Sequence, residues 1–242
     1  MVPRSAQAEI RQLAAGYPVI VVVGPRQSGK TTLCRAIFAN HSYVSLEDPD
    51  VLRFATEDPR GFLDQYASGA LFDEVQRAPA LLSYLQTMVD ADDAPGRFVL
   101  TGSSQLDVLA GVTQTLAGRA AIVELLPFSL PELQAAELAP DDLETLLYHG
   151  LYPPIYDRGL DATRWYGNYV RTYVERDLRQ LINVRDLSAF QTFLRLCAGR
   201  TGQLISLSSL AADAGITHNT AKAWISALEA SFIVRQLRPH FA

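Results

Sequence analysis

Long apolar runs are absent from this 242-residue sequence, and cysteine is scarce. The β-branched run Val19–Val23 is far shorter than the roughly 20 apolar residues that a membrane-spanning helix needs. The N-terminal residues lack the apolar centre of a signal peptide and include Glu9 and Arg11 in a helix-like stretch. The two cysteines, Cys34 and Cys197, lie within helical patterns, which favours buried reduced thiols. We therefore expect a cytoplasmic protein without a membrane segment.

Charge is unevenly distributed along the chain. The formal net charge is −5, yet residues 1–150 carry an excess of acidic side chains and residues 151–242 an excess of basic ones. With 48% hydrophobic and 19% charged residues, the composition is that of a globular protein with a proper core. A division near residue 150 is therefore expected, with the basic part the better candidate for an anionic partner.

The residues from Gly24 to Thr31 fit the phosphate-binding pattern G-x-x-x-x-G-K-[ST] at every fixed position. The β-branched run before them predicts a buried strand, and residues 32–40 after them predict a helix. This order aims backbone N–H groups and the positive end of a helix dipole at one small cup, which suits a triphosphate. Lys30 is expected to reach the β- and γ-phosphates, and Thr31 to hold Mg²⁺. The predicted nucleotide-binding residues are Gly24, Pro25, Arg26, Gln27, Ser28, Gly29, Lys30, Thr31 and Thr32.

Two further strand ends offer polar groups to the same nucleotide. Residues 70–72 predict a buried strand that ends at Asp73 and Glu74. We expect Asp73 in the magnesium shell, directly or through water, and Glu74 as the base that orients and deprotonates the attacking water. Another strand, 97–101, leads to Ser103 and Ser104, whose hydroxyls could bind the γ-phosphate or that water. A simple turn and helix cap is an equally good interpretation of these serines.

Beyond residue 129 the pattern is helical, and we predict helices over 129–138, 141–149, 162–185 and 188–199. Residues 208–214 and 217–230 predict two more helices joined at Gly215, followed by a strand over 232–237. This order is that of a helix-turn-helix with a partial wing. Protein packing is at least as good an interpretation as DNA binding, because the second helix offers DNA only His218, Asn219, Lys222 and Ser226.

These motifs resemble those of a largely uncharacterised family of bacterial and archaeal P-loop ATPases in the AAA superfamily. The family patterns are G-x-R-Q-x-G-K-T-T-L, a strand ending in D-E-x-Q, L-T-G-S-S and N-T-A-x-x-W, and they match residues 24–33, 72–76, 100–104 and 219–224. Members are expected to continue past the winged helix into a further domain. The resemblance therefore implies that this sequence, which stops within the predicted wing, is a fragment or a truncated copy.

Arg119 is a candidate catalytic residue that would act between subunits. It precedes the last predicted strand, 120–126, which we place next to the strand that leads to Ser103. In AAA-type ATPases an arginine at the rim of the domain commonly completes the site of a neighbouring subunit, so the resemblance implies a possible homo-oligomer. The alternative is an ordinary surface charge.

The sequence thus predicts an α/β fold: a P-loop NTPase with a parallel sheet flanked by helices, followed by a helical segment and a partial winged helix. The expected domains are an ATPase core over 1–128, a helical segment over 129–202 and a winged-helix-like region over 203–242. The expected function is Mg²⁺-dependent binding and hydrolysis of ATP, coupled to a conformational change and possible protein partners. No guanine-reading N-K-x-D motif occurs, which argues against a GTPase. The alternatives are a DNA-binding regulator switched by ATP and a small-molecule kinase.

Overall fold

A computed structural model describes residues 2–103, 108, 111–112, 114–172 and 186–237. The chain divides into two units, Met1–Gly159 and Leu160–Ala242. The predicted boundaries at residues 128 and 202 stay predictions. Among the described residues, no helix is long and apolar enough to cross a bilayer.

The first unit is built on a five-stranded parallel sheet, as predicted. Its strands are β1 (Val19–Val23), β2 (Ser42–Ser45), β3 (Ala70–Asp73), β4 (Phe98–Gly102) and β5 (Ala120–Glu124), and their spatial order is β2-β3-β4-β1-β5. All four pairings are parallel, so the carboxyl ends of the strands meet at one edge. Every residue of β1 is buried, which explains its unbroken β-branched sequence.

Helices flank this sheet, because each parallel crossover needs a connection that returns the chain to the starting edge, and further helices follow the last strand. In chain order they are α1 (Ala6–Ala14), α2 (Lys30–Ile37), α3 (Pro49–Glu57), α4 (Pro59–Asp64), α5 (Leu81–Ala91), α6 (Leu130–Ala135), α7 (Leu143–His149) and α8 (Pro153–Asp157). A 3₁₀ turn, Val75–Arg77, directly follows the β3 end. On one sheet face, Ile20 and Val22 pack in a core cluster with Ile10 of α1 and Leu33 of α2. This packing fixes the start of α2, and with it the phosphate loop, against the sheet.

The second unit is helical in the residues described. Its helices are α9 (Ala162–Tyr169), α10 (Leu187–Gly199), α11 (Leu207–Ala214) and α12 (His218–Ala230). A π-helical turn over 170–172 follows α9, and the rest of the helix predicted to reach residue 185 lies outside the described residues. Gly215 links α11 to α12 in a left-handed conformation, and the Thr217 side chain caps α12. The two helices of the predicted helix-turn-helix are therefore present.

The wing strand predicted over 232–237 is not formed. Phe232 has a φ of 59°, and the backbone N–H groups of Ile233 and Val234 turn back to the Leu228 carbonyl. The Gln236 N–H donates to the Glu229 carboxylate at 3.2 Å. The prediction was wrong because the backbone of these apolar residues forms hydrogen bonds with the last turns of α12, and not with a neighbouring strand.

Candidate functional site

The phosphate loop joins the buried end of β1 to the first turn of α2. Gly29, in a left-handed conformation with φ 94°, is the N-cap residue of α2, and Lys30 is its first residue. A Cβ on Gly24 would lie 2.1 Å from the Leu125 carbonyl oxygen, so only glycine allows the loop to pass so close to the residue that follows β5. The chain thereby presents the loop's N–H groups and the helix N-terminus to one anion.

Lys30 is held at the base of this loop. Its side chain is buried, and Nζ donates to the carbonyl oxygens of Gly24 at 3.0 Å and Pro25 at 2.9 Å. Burial lowers the pKa of the Lys30 ammonium, against the opposing effects of the Glu74 and Asp73 carboxylates. A buried cation favours an anionic partner, because burial costs it the hydration that water would supply.

Asp73, at the end of β3, accepts hydrogen bonds from hydroxyl groups on three neighbouring elements. Its carboxylate accepts hydrogen bonds from Thr31 at 3.0 Å, from Tyr43 at 2.9 Å and from Thr101. Partial burial, and then the Asp73 charge, raise the pKa of the Tyr43 phenol, which keeps it a neutral donor. The predicted pair of magnesium-binding residues, Thr31 and Asp73, is thus brought together in the fold. The sequence pattern did not predict that Tyr43 and Thr101 would donate hydrogen bonds to Asp73.

The Thr31–Asp73 pair fits Mg²⁺ well. A hydroxyl and a carboxylate oxygen in contact are hard oxygen ligands, and Mg²⁺ in nucleotide sites takes only one or two such ligands from the protein. Bound there, the ion would neutralise charge on the β- and γ-phosphates. We infer that Thr31 and Asp73 are the residues that would hold it.

We expect Asp73→Asn to weaken the Mg²⁺-dependent part of ATP affinity by about tenfold, because an amide lacks the negative charge that attracts the ion. The measurement is titration with a fluorescent ATP analogue, with Mg²⁺ and with a chelator. Asp64→Asn, the same exchange at the end of α4, is the matched control. An Asp73→Asn protein that is folded and keeps the full effect of Mg²⁺ on affinity would remove Asp73 from the ion's shell.

Glu74 follows Asp73 in a left-handed conformation, with φ 59° and ψ 48°. A non-glycine residue in this region stores strain and is enriched at functional sites. Its Oε2 atom accepts hydrogen bonds from Ser103 Oγ at 2.8 Å and from Gln76 Nε2. The structure therefore brings two of the predicted catalytic residues, Glu74 and Ser103, into direct contact, while Ser104 lies outside the described residues.

A cavity of about 420 Å³ opens beside these groups. Lys30, Thr31, Asp73 and Glu74 line it together with the predicted binding residues Arg26, Gln27, Gly29 and Thr32. Its apolar lining includes Val2, Leu33, Phe128, Pro153 and Pro154, all of which are buried. Charged and apolar walls in one cavity suit a ligand with a polyanionic tail and a flat, weakly polar ring system.

Arg4 is a site residue that the sequence did not reveal. Its buried guanidinium donates to the Ser28 carbonyl at 2.8 Å and to the Leu126 carbonyl at 2.6 Å, and it pairs with Glu132 at 3.3 Å. Glu132 also accepts from the Ser5 N–H at 2.7 Å. These contacts tie the phosphate loop to the start of α6. The ion pair joins residues 128 positions apart, and no local pattern marks such a pair.

Arg119 lies away from this cavity. Its guanidinium pairs with Asp90 of α5, with Nη2 at 3.0 Å from Oδ2. Arg119 stands at the start of β5, whereas the phosphate loop follows the end of β1, and parallel strands place those points at opposite edges of the sheet. The expectation that β5 neighbours the strand leading to Ser103 was wrong, because β1 lies between β4 and β5. Within its own chain, the pair with Asp90 gives Arg119 a structural partner.

A role for Arg119 in a neighbouring subunit stays a prediction. If it holds, Arg119→Ala binds ATP normally but hydrolyses it about a thousandfold more slowly. A mixture of Arg119→Ala with Glu74→Gln protein then regains activity, because one subunit's base meets another's arginine. The measurement is phosphate release from the two variants, separately and mixed. Activity per molecule that is flat across dilution, with no rescue in the mixture, would leave Arg119 only its structural role.

The comparisons with known proteins agree with this architecture. Residues 16–134 match the family model of an AAA domain, and residues 140–242 match that of a domain of unknown function. Uncharacterized proteins of Mycobacterium bovis and Mycobacterium tuberculosis are each 33% identical to the chain over 244 residues, which cover 99% of this chain and 54% of each relative. The chain therefore spans about half the length of the curated relatives it matches.

A solved structure, a Walker-type ATPase of Pyrococcus abyssi, superposes with a TM-score of 0.60 at 14% identity, over 96% of this chain and 90% of that one. At this identity the likeness establishes the fold alone. The fold is that of a P-loop NTPase, a parallel sheet flanked by helices, and within it residues 16–134 are similar to an AAA domain.

Proposed function

We propose that this protein binds Mg²⁺ and ATP in the cavity beside the phosphate loop and hydrolyses the ATP to ADP and phosphate. One observation carries the proposal. A single cavity is lined by Lys30, the Thr31–Asp73 pair and Glu74. These are the groups needed to bind a triphosphate, to hold its ion and to activate a water. They come from two segments of the sequence, residues 30–31 and 73–74, which the parallel sheet brings to the same edge.

The residues divide the chemistry between them. Lys30 and the N–H groups of the loop bind the phosphates and stabilise the charge that develops during transfer. Glu74 accepts a proton from the attacking water as the water oxygen bonds to the γ-phosphorus. The bond from that phosphorus to the bridging oxygen breaks, and ADP leaves with its charge held at the loop. Ser103 supports Glu74 through the hydrogen bond to its carboxylate.

The apolar part of the cavity supports a nucleotide over inorganic polyphosphate. Val2 and Phe128 belong to one buried cluster with Leu133, and Pro153 and Pro154 begin α8. We infer that the adenine ring packs against these residues. ATP is favoured over GTP because no N-K-x-D motif is present to read guanine.

Coupling to a conformational change is supported by Arg4. Its guanidinium bonds directly to the Ser28 carbonyl within the phosphate loop, and its partner Glu132 lies in α6. A shift of the loop on nucleotide binding must therefore either move Arg4 or break a buried hydrogen bond. We infer that this contact carries the nucleotide state of the loop to residues 126–132.

The experiment that tests the proposed function is phosphate release by the purified chain with ATP and with GTP, with and without a chelator. We expect release from ATP that depends on Mg²⁺ and exceeds release from GTP. ADP formation that requires a small-molecule acceptor and yields no free phosphate would identify a kinase. If ATP binds but no phosphate is released, the protein binds the nucleotide without hydrolysing it.

A DNA-binding regulator switched by ATP is the second candidate, and the succession of α11, the turn at Gly215 and α12, which is the order of a helix-turn-helix, supports it. The exposed positions of α12 include one cation, Lys222, which predicts weak contact with phosphates. Binding of duplex DNA is measured at several salt concentrations, with and without ATP. Affinity that falls steeply with salt and changes with ATP would favour the regulator.

A further inference from the structure

The carboxylate of Glu74 is held at one of its two oxygens. Ser103 Oγ donates to Oε2 at 2.8 Å, and Gln76 Nε2 donates to the same atom. The two donors also approach one another, with 3.5 Å between Gln76 Nε2 and Ser103 Oγ. Neither of these bonds uses Oε1. The arrangement therefore fixes one oxygen of the carboxylate and leaves the other oxygen out of the contact.

The side-chain amide of Gln76 is oriented by its nitrogen end. Its Oε1 atom is buried and finds no hydrogen-bond partner among the described residues. A buried acceptor without a partner is unfavourable, so the amide is not held in place by its oxygen. With the amide reversed, Oε1 would face the Glu74 carboxylate and repel it. The contact with Glu74 is thus the interaction that sets the position of this side chain.

Gly102 leaves the space that Gln76 fills. A Cβ at position 102 would lie 2.6 Å from Gln76 Oε1 and 2.4 Å from Cγ2 of Val108. Gly102 ends β4 and immediately precedes Ser103, so two adjacent residues act on Glu74. Ser103 donates a hydrogen bond to the Glu74 carboxylate, and Gly102 leaves room for Gln76, the second donor.

The backbone also directs Gln76 towards Glu74. The left-handed conformation of Glu74 reverses the chain at the end of β3, and the 3₁₀ turn Val75–Arg77 follows at once. Val75 is fully buried and anchors this turn in the core. Glu74 lines the cavity, whereas Gln76 is not among the residues that line it. Any effect of Gln76 on the reaction must therefore pass through Glu74.

We propose that Gln76 is a positioning residue for hydrolysis: its amide N–H holds Oε2 of Glu74 so that Oε1 is presented to the attacking water. The inference rests on the proposed function, since it assigns Gln76 a role through the proposed base. Ser103 supplies the second point of attachment, which fixes the rotation of the carboxylate. Binding of ATP does not involve Gln76.

The test compares Gln76→Leu, which keeps the bulk but removes the donor, with Gln65→Leu at an exposed glutamine. Three quantities are measured: the affinity for a fluorescent ATP analogue, kcat and KM for phosphate release, and the melting temperature. We expect Gln76→Leu to lower kcat by about tenfold, the usual effect of losing a hydrogen bond to a charged group. Its ATP affinity and KM should stay within about twofold of the parent. Gln65→Leu should match the parent throughout.

A double-mutant cycle separates positioning from a general structural role. In a Glu74→Gln background the base is already gone, so adding Gln76→Leu should change the residual rate by less than about twofold. The same tenfold loss in both backgrounds, or a parental kcat in Gln76→Leu, would overturn the inference. Hydrolysis at the parental rate in Glu74→Gln alone would instead overturn the proposed function.

A second substitution keeps the inference testable if Gln76→Leu does not fold. Gln76→Glu has nearly the same shape but replaces the donor with a carboxylate that repels Glu74. We expect an even lower kcat with ATP affinity retained. A folded Gln76→Glu protein with the parental kcat would contradict the positioning role.

Discussion

Lys30→Ala is expected to lower the affinity for ATP by about a hundredfold or more. The ammonium group is the cation at the base of the phosphate loop, where it already bonds to the Gly24 and Pro25 carbonyl oxygens. Hydrogen bonds between a cation and phosphate are worth about 1.5–3 kcal/mol each, and Lys30 can donate more than one of them. Titration with a fluorescent ATP analogue measures the loss.

The chain offers a matched control for this substitution. It contains two lysines, and the second, Lys222, lies on the exposed side of α12. Lys222→Ala should bind ATP as the parent does. The circular dichroism spectrum of Lys30→Ala establishes that the protein is folded. Undiminished affinity in the folded variant would show that the triphosphate does not bind at this loop.

Glu74→Gln is expected to retain ATP affinity and to lower kcat by about two to four orders of magnitude. The amide has nearly the same shape as the carboxylate and can still accept the hydrogen bond from Ser103. It cannot take a proton from the attacking water, which is the step assigned to Glu74. Phosphate release at saturating ATP gives kcat, and the titration used for Lys30→Ala gives the affinity.

Glu57→Gln, the same exchange at an exposed position in α3, serves as the control and should have the parental kcat. If Glu74→Gln hydrolyses ATP at the parental rate, Glu74 is not the base. If instead it loses ATP affinity as well, the carboxylate contributes to binding and its assignment as a base acting only on water is wrong.

The sequence predicted those parts of the site that lie within short segments. A β-branched run, a glycine-rich loop and a helix start are all encoded in adjacent residues, so the position of Lys30 followed directly. Asp73 and Glu74 could be placed because an apolar run that ends in acids is typical of a buried parallel strand. The spatial order of the strands was not encoded in this way, and the neighbour of β5 was predicted wrongly.

The contacts that the sequence did not reveal join distant residues. Tyr43 and Thr101 reach Asp73 because β2 and β4 lie on either side of β3. That order is a property of the whole sheet. Arg4 and Glu132 likewise meet only when the N-terminal segment packs against α6. Patterns of hydrophobicity report which face of an element is buried, and they say little about which polar groups then become neighbours.

Short-range patterns also failed where two structures suit the same residues. The β-branched and aromatic residues at 232–234 are compatible with a strand, yet Phe232 adopts a left-handed conformation and Gln236 bonds back to Glu229. The competing hydrogen bonds at the end of α12 decided the outcome. For Ser103, the strand end suggested either a turn or a contact with the reacting groups, and the structure places its hydroxyl on Glu74.

The most direct test of the central claim is a single-turnover measurement with γ-labelled ATP, Mg²⁺ and protein in excess. It is carried out on the parent and on Glu74→Gln, after both have been shown to bind ATP. We predict that the parent converts the bound ATP completely to ADP and free phosphate, whereas Glu74→Gln holds the ATP intact over the same period. Equal conversion by the two proteins, or none by the parent, would contradict the claim that this cavity is an ATPase site.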